Sequence, residues 1–124
     1  MAIMNCAVFD TNIVIDALNG IVAADEEYCR YDKVYISLIT WMEIMVGTDE
    51  EDYLTANFLQ EYFIILPITQ PIAEQAVIIR KQYRIKLPDA LIQASAQVHN
   101  ALLITRNTRD FPTEHPGVRC PYYL

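Results

Sequence analysis

Residues 6–20, CAVFDTNIVIDALNG, decide how this chain folds. Cys6 to Phe9 is a short apolar run of strand formers that stops at an acid. Thr11 or Asn12 then caps a helix running through Leu18, which Asn19-Gly20 closes. A strand that hands directly to a helix opens an α/β pattern, and it leaves Asp10 at the carboxyl end of the first strand.

The pattern repeats along the chain. Lys33 to Ile36 (KVYI) reads as a second strand after a polar helical stretch over 21–31, and Ser37 caps a helix to Gly47. Thr48 and Glu51 form a capping box for a helix ending near Tyr62, whose acidic opening, Asp49 to Asp52, suits the positive end of a helix dipole. Phe63 to Ile68 (FIILPI) is a third strand. Thr69-Gln70-Pro71 starts a helix with Ile72, Ala76, Ile79 and Tyr83 at helical spacing, and Pro88 fits the first turn of the next. Ala101 to Thr105 is a fourth strand, Arg106 to Phe111 a polar turn, and Val118 to Tyr122 an edge strand weakened by Pro121. Strands separated by helices predict a mostly parallel sheet of four to five strands covered on both faces.

Length and composition bound the rest. The 124 residues, 53% hydrophobic and 20% charged, fit one globular domain spanning 1–124 with one core. Asp10 arrives too early for the apolar centre of a secretory signal, and no apolar run reaches membrane-spanning length, so the expectation is a soluble, cytoplasmic protein with no membrane partner. Three cysteines (Cys6, Cys29 and Cys120) lack metal-site or redox spacing and read as reduced packing residues. The net charge of −7 argues against nucleic acid only as a sum. Residues 22–62 carry ten acids and two bases, whereas residues 78–109 carry six bases and one acid, Asp89.

Three acids stand in otherwise apolar stretches: Asp10 in CAVFDTNIVID, Glu43 in SLITWMEIMVG and Asp89 in KLPDALIQASA. Burying a carboxylate without a partner is costly, and Asp10 and Glu43 have no base nearby in sequence. In open parallel sheets ligands bind beyond the carboxyl ends of the strands, where Asp10, the Arg106 to Asp110 turn and the Ser37 and Pro88 helices all meet. Carboxylates gathered there repel one another, and a shared Mg2+ or Mn2+ removes the conflict with the oxygen ligands both prefer. Such a site suits hydrolysis of a phosphodiester. His99, near a helix end, and His115, between Glu114 and Pro116, read as surface residues. Asp16, six residues after Asp10 on a short helix, points elsewhere.

VFDTNIVID, ITWMEIMVG, LPDALIQASA and LLITRNTRDF, in this order and at these intervals, resemble the PIN-domain nucleases, and most of all the VapC toxins of bacterial toxin–antitoxin pairs. The resemblance covers nearly the whole chain and implies a three-layer α/β/α sandwich. It also implies a metal-dependent endoribonuclease that is restrained by a cognate antitoxin and forms a homodimer. Carried over by position, it makes Asp10, Glu43 and Asp89 the acids that bind Mg2+ or Mn2+. Many members have a fourth aspartate after the last long strand, where this chain has Asn107; either the Asn107 amide oxygen or the carboxylate of Asp110, three residues later, completes the site. Asn12 and Thr105 then orient the site, and Arg106 and Arg109 contact RNA phosphates. Two other readings stand beside this one: a PIN-like module that binds RNA or protein without cutting, motivated by Asn107, and a small phosphatase with Asp10 as nucleophile. The phosphatases in question, of the haloacid-dehalogenase type, carry a second aspartate where this chain has Asn12.

Overall fold

The computed structural model describes residues 5–49 and 52–124. Five strands, β1 (Cys6–Phe9), β2 (Lys33–Ser37), β3 (Ile64–Leu66), β4 (Leu102–Ile104) and β5 (Val118–Arg119), form one sheet in the order β3-β2-β1-β4-β5. Every pairing is parallel, with Val8 opposite Tyr35 on one side and Leu103 on the other. Six helices connect them: α1 (Thr11–Leu18), α2 (Val22–Tyr28), α3 (Leu38–Val46), α4 (Tyr53–Tyr62), α5 (Gln70–Tyr83) and α6 (Leu87–Val98).

Because side chains alternate across a strand, the central strand β1 feeds two cores. Val8 joins Leu103 and Leu66 beneath α5 and α6, whose Ile72, Ala76, Ile79, Ala90, Ile92, Ala94 and Ala96 close that face. Ala7 and Phe9 turn the other way, with Val34, Ile36 and Ile104, onto Ile13 and Val14 of α1, Ile44 of α3 and Leu59 of α4. The result is the three-layer α/β/α sandwich expected from the sequence.

Several local details differ from the sequence reading. The cap of α1 is Asp10 itself: its backbone is extended and its side chain accepts from Thr11 N. The α4 cap is Asp52, which accepts from Thr55 N at 3.0 Å, so the helix starts later than a Thr48 cap would have it. Glu51 of the expected capping box lies outside the described residues. β3 is shorter than Phe63 to Ile68, because Phe63 still closes α4 and Pro67 has no N–H to extend the ladder. β5 keeps two residues and ends before Pro121.

The strand order places the site. β2 and β3 lie to one side of β1 and β4 and β5 to the other, so the direction of winding reverses between β1 and β4. A crevice opens at the carboxyl ends of that pair. Asp10 N donates to Ile104 O at 2.9 Å and so locks the two strand ends together there.

Candidate metal centre

Asp10 is buried, with 4% of its surface exposed, and both of its oxygens are occupied. Oδ1 accepts Thr11 N at 2.8 Å; Oδ2 accepts Thr105 Oγ1 at 2.7 Å and Asn12 Nδ2 at 3.2 Å. Burial raises its pKa above the ordinary aspartate range, the Thr105, Thr11 and Asn12 hydrogen bonds oppose that, and the charge of Glu43 adds to it.

Glu43 reaches the site from α3. Its Oε1 accepts the Thr11 hydroxyl at 2.9 Å, and Thr11 Oγ1 also lies 3.1 Å from the buried Thr40 hydroxyl one turn earlier on α3. Glu43 is exposed and Asp89 partly buried, so of the three acids in apolar stretches only Asp10 is sunk in the core. The apolar neighbours of Glu43 are explained by helix geometry: Ile44 faces inward, while Met42 and Glu43 look out.

Asp89 stands in the first turn of α6. Its pKa is pushed up to about 6, first by burial and then by the charges of Asp10, Asp110 and Glu43, with Lys86 only partly compensating. The charge of Asp110 bears on Asp89 beside those of Asp10 and Glu43, so Asp110 lies near the same acids. Asn107 Nδ2 donates to Asp110 Oδ2 at 2.9 Å, and Asp110 N donates to Asn107 Oδ1 at 3.3 Å. Asn107 N is in turn held by Thr105 Oγ1 at 2.9 Å, so one threonine orients both Asp10 and the turn that presents Asp110.

Asn12 completes this frame, accepting Arg106 N on Oδ1 at 3.2 Å. Arg106 is spoken for: its Nε and Nη2 grip Asp16 at 2.7 and 3.0 Å, and Asp16 Oδ2 also accepts Tyr122 OH at 2.7 Å. Asp16 thus lies outside the acid group, as its spacing predicted, and Arg106 serves the fold with its side chain and the site with its backbone. Arg109 is exposed beside Asp110. His99 Nδ1 lies 3.1 Å from Ser95 O, and the His99 ring packs on Tyr35. His115 packs on Tyr83. Sequence reasoning passed over Thr11 as anything but a helix cap; a hydroxyl directly after a strand-end acid was the available signal.

Contrast with the other buried acids isolates the group. Asp16 pairs with Arg106, and Glu27 with Arg119 and Arg30. Among the described residues no ion pair involves Asp10, Glu43, Asp89 or Asp110. Local arginines therefore account for Asp16 and Glu27 and leave the four acids unexplained. An all-oxygen donor set carrying this much like charge fits a hard divalent cation. Among the described residues no three such side chains are drawn together tightly enough to hold an ion as they stand.

A parallel sheet with strand order 3-2-1-4-5 and acids gathered at its switch point defines a class, and comparison with known proteins names it. The PIN domain family model matches residues 7–113, and the chain belongs to that family. It is similar to a protein called Ribonuclease VapC1 from Rickettsia felis, 28% identical over 117 residues that cover 84% of this chain and 87% of that protein. Among solved structures it is similar to a chain of a toxin-antitoxin complex from Klebsiella pneumoniae. That chain is 45% identical, with a TM-score of 0.84, covering 95% of this chain and 99% of the other. A chain of FitAcB from Neisseria gonorrhoeae is 25% identical with a TM-score of 0.73, again over 95% and 99%.

Proposed function

We propose that this PIN-domain chain is a metal-dependent endoribonuclease, the toxin of a toxin–antitoxin pair, with Mg2+ or Mn2+ held by Asp10, Glu43, Asp89 and Asp110. The observation that carries the reading is the set of four carboxylates without an ion-pair partner among the described residues; burial first, and then the charges of the other three, push Asp89 up to about 6. The relatives named for ribonuclease activity and for toxin-antitoxin complexes supply the substrate and the biological setting.

When bound, such an ion supplies positive charge to the scissile phosphate and lowers the cost of deprotonating water. The chain's own groups do the positioning. Thr105 and Asn12 fix the rotamer of Asp10, Thr11 tethers Glu43, and Asn107 holds Asp110. Groups held this way need little reorganisation when charge develops. Glu43, exposed and tethered through one hydroxyl, has the freedom to move toward an ion that the buried Asp10 lacks.

A protein partner has an apolar seat. A groove of about 390 Å3 between α1, α2 and α4 is lined by Ala17, Tyr28, Cys29, Phe58, Tyr62 and Phe63, with the acid Asp25 among them, which suits an amphipathic segment of an antitoxin. Val77 and Ile78, exposed on α5, are compatible with a homodimer face. Among the described residues no helix is long and apolar enough to cross a membrane. A cytoplasmic location belongs to this proposal as well.

The test is cleavage of a structured RNA by the purified chain with Mg2+ or Mn2+, beside Asp10→Asn. Cleavage by the parent and none by the variant is expected; intact RNA with both, or equal cleavage by both, sinks the proposal. A second reading, a PIN-like module that binds without cutting, draws on Asn107 and on the spread of the acids. It gains if Asn107→Asp creates a metal-dependent cleavage that the parent lacks.

A further inference from the structure

A small pocket of about 200 Å3 borders the acids on one side, lined by Tyr83, Arg84, Arg109, Asp110 and His115. It lies where the α5–α6 turn meets the segment between β4 and β5. Helix α5 ends because Arg84 takes the left-handed conformation, φ 57° and ψ 28°, with its N–H closing on Arg80 O at 2.9 Å. Glycine or asparagine is the ordinary choice there, so the arginine stands at a position that disfavours a side chain. Arg80 stiffens the turn by donating from Nη1 to Ile85 O at 2.6 Å, which takes its guanidinium out of play. Arg84, Lys86 and Arg109 remain exposed and, among the described residues, without an ion-pair partner.

Across the pocket, the rings of Tyr83 and His115 pack with centroids 4.9 Å apart and planes inclined by 43°. His115 is placed by its own turn, its N–H donating to Pro112 O at 3.0 Å. Tyr83 nonetheless keeps 43% of its surface exposed, so an aromatic face stays open. Asp110 belongs both to this pocket and to the acid group that raises Asp89. A molecule seated in the pocket therefore meets Asp110.

From this juxtaposition we infer that the Tyr83–His115 platform and the Arg84 and Arg109 guanidinium groups form a subsite for one nucleotide of single-stranded RNA next to the scissile phosphate, an inference that rests on the nuclease reading above. An open aromatic face stacks any base, and free arginines beside it take the flanking phosphates. The volume is below the roughly 300–1,000 Å3 of ordinary small-molecule sites, which suits one base rather than a longer segment. With a net charge of −7, the chain can meet a polyanion only at a local basic patch, and the acids of the site themselves repel it. The subsite supplies the attraction that brings RNA to them.

The experiment measures binding of a fluorescein-labelled single-stranded RNA to the full chain carrying Asp10→Asn, with chelator present, over a series of salt concentrations. Adding Arg84→Gln and Arg109→Gln together is expected to weaken binding at least tenfold and to flatten the plot of log affinity against log salt by about 1.4, since each single-strand phosphate contact contributes about 0.7. Tyr83→Ala weakens binding about tenfold without changing that slope, and Tyr83→Phe restores it. Lys33→Gln, at the amino edge of the sheet, changes neither. An unchanged affinity and slope in the double arginine variant overturns the subsite. So does equal competition by an acidic peptide, which marks a general polyanion patch. Cleavage assays on the same variants without Asp10→Asn keep the two proposals apart. RNA bound through these residues but never cut defeats the nuclease and leaves the subsite, whereas undiminished cleavage by the arginine variant does the reverse.

Discussion

The Asn107 side chain clasps Asp110, donating to its carboxylate at 2.9 Å and accepting its backbone N–H at 3.3 Å. A neutral amide thus holds the acid three residues on. Asn107→Ala is expected to cost about 1 kcal/mol, the worth of an ordinary hydrogen bond. Asn107→Asp sets two carboxylates against each other and should cost more at pH 7, about 1–2 kcal/mol. Thermal melts with and without Mn2+ check this: the ion should raise the melting temperature of Asn107→Asp more than that of the parent.

Asp89 makes the metal-free chain sensitive to pH in an unusual direction. Its folded pKa, about 6, lies above the ordinary 3.8, so the native state holds a proton that the unfolded chain releases. Its contribution is fully favourable below the unfolded value and is lost as pH rises through the folded one. Stability should therefore fall between about pH 4 and pH 6, by about 1 kcal/mol from this group once solvent screening of a half-buried carboxylate is allowed for. Asp89→Asn should flatten that window and raise the midpoint at pH 7.5 by a few degrees, while weakening Mn2+ binding in calorimetry. A parent whose stability climbs across the window would refute this.

Thr105 is fully buried and serves Asp10 and Asn107 at once. Replacement by valine keeps the shape and leaves both partners short of a hydrogen bond, which predicts a loss of about 1–3 kcal/mol in urea unfolding. The Asp10 pKa should rise further, because the largest effect opposing its burial is removed.

Asp16 and Arg106 form the clamp behind the site. Asp16→Asn strands the guanidinium and should cost about 2–3 kcal/mol, somewhat under the range for fully buried pairs because the Arg106 side chain is 28% exposed. Adding Arg106→Met should recover part of that loss, since no unpaired charge is then left. A strictly additive double variant in denaturant unfolding would show that the pair is not coupled.

The layering of the fold was legible because strand and helix runs alternate cleanly and each helix carries its own punctuation, as Ser37, Thr69 and Pro88 show. The position of Asp10 at the end of β1 and of Asp89 in the first turn of α6 was legible because the parallel-sheet rule sends strand ends and the following helix starts to one edge. Cap identities were not: Asp10 displaced Thr11 and Asp52 displaced Thr48, since several neighbouring residues have the chemistry to cap and only the exit angle of the backbone chooses among them. Burial of Glu43 was misjudged because its apolar neighbours occupy the inward side of α3 and leave it facing out. The engagement of Arg106 with Asp16, 90 residues away, has no local trace at all.

The hydrogen bond from Thr105 to Asp10 joins residues separated by 95 positions, and the Asn107–Asp110 clasp lies later still. A chain growing from its amino end completes β1, β2 and β3 long before β4 can enter beside β1. Half-made molecules thus carry Asp10 with only its Thr11 and Asn12 partners, and lack Thr105, Asn107 and Asp110. The acid group is thus incomplete until residues 105–110 have been made, and no shorter nascent chain can hold Asp10 through Thr105 or present Asp110.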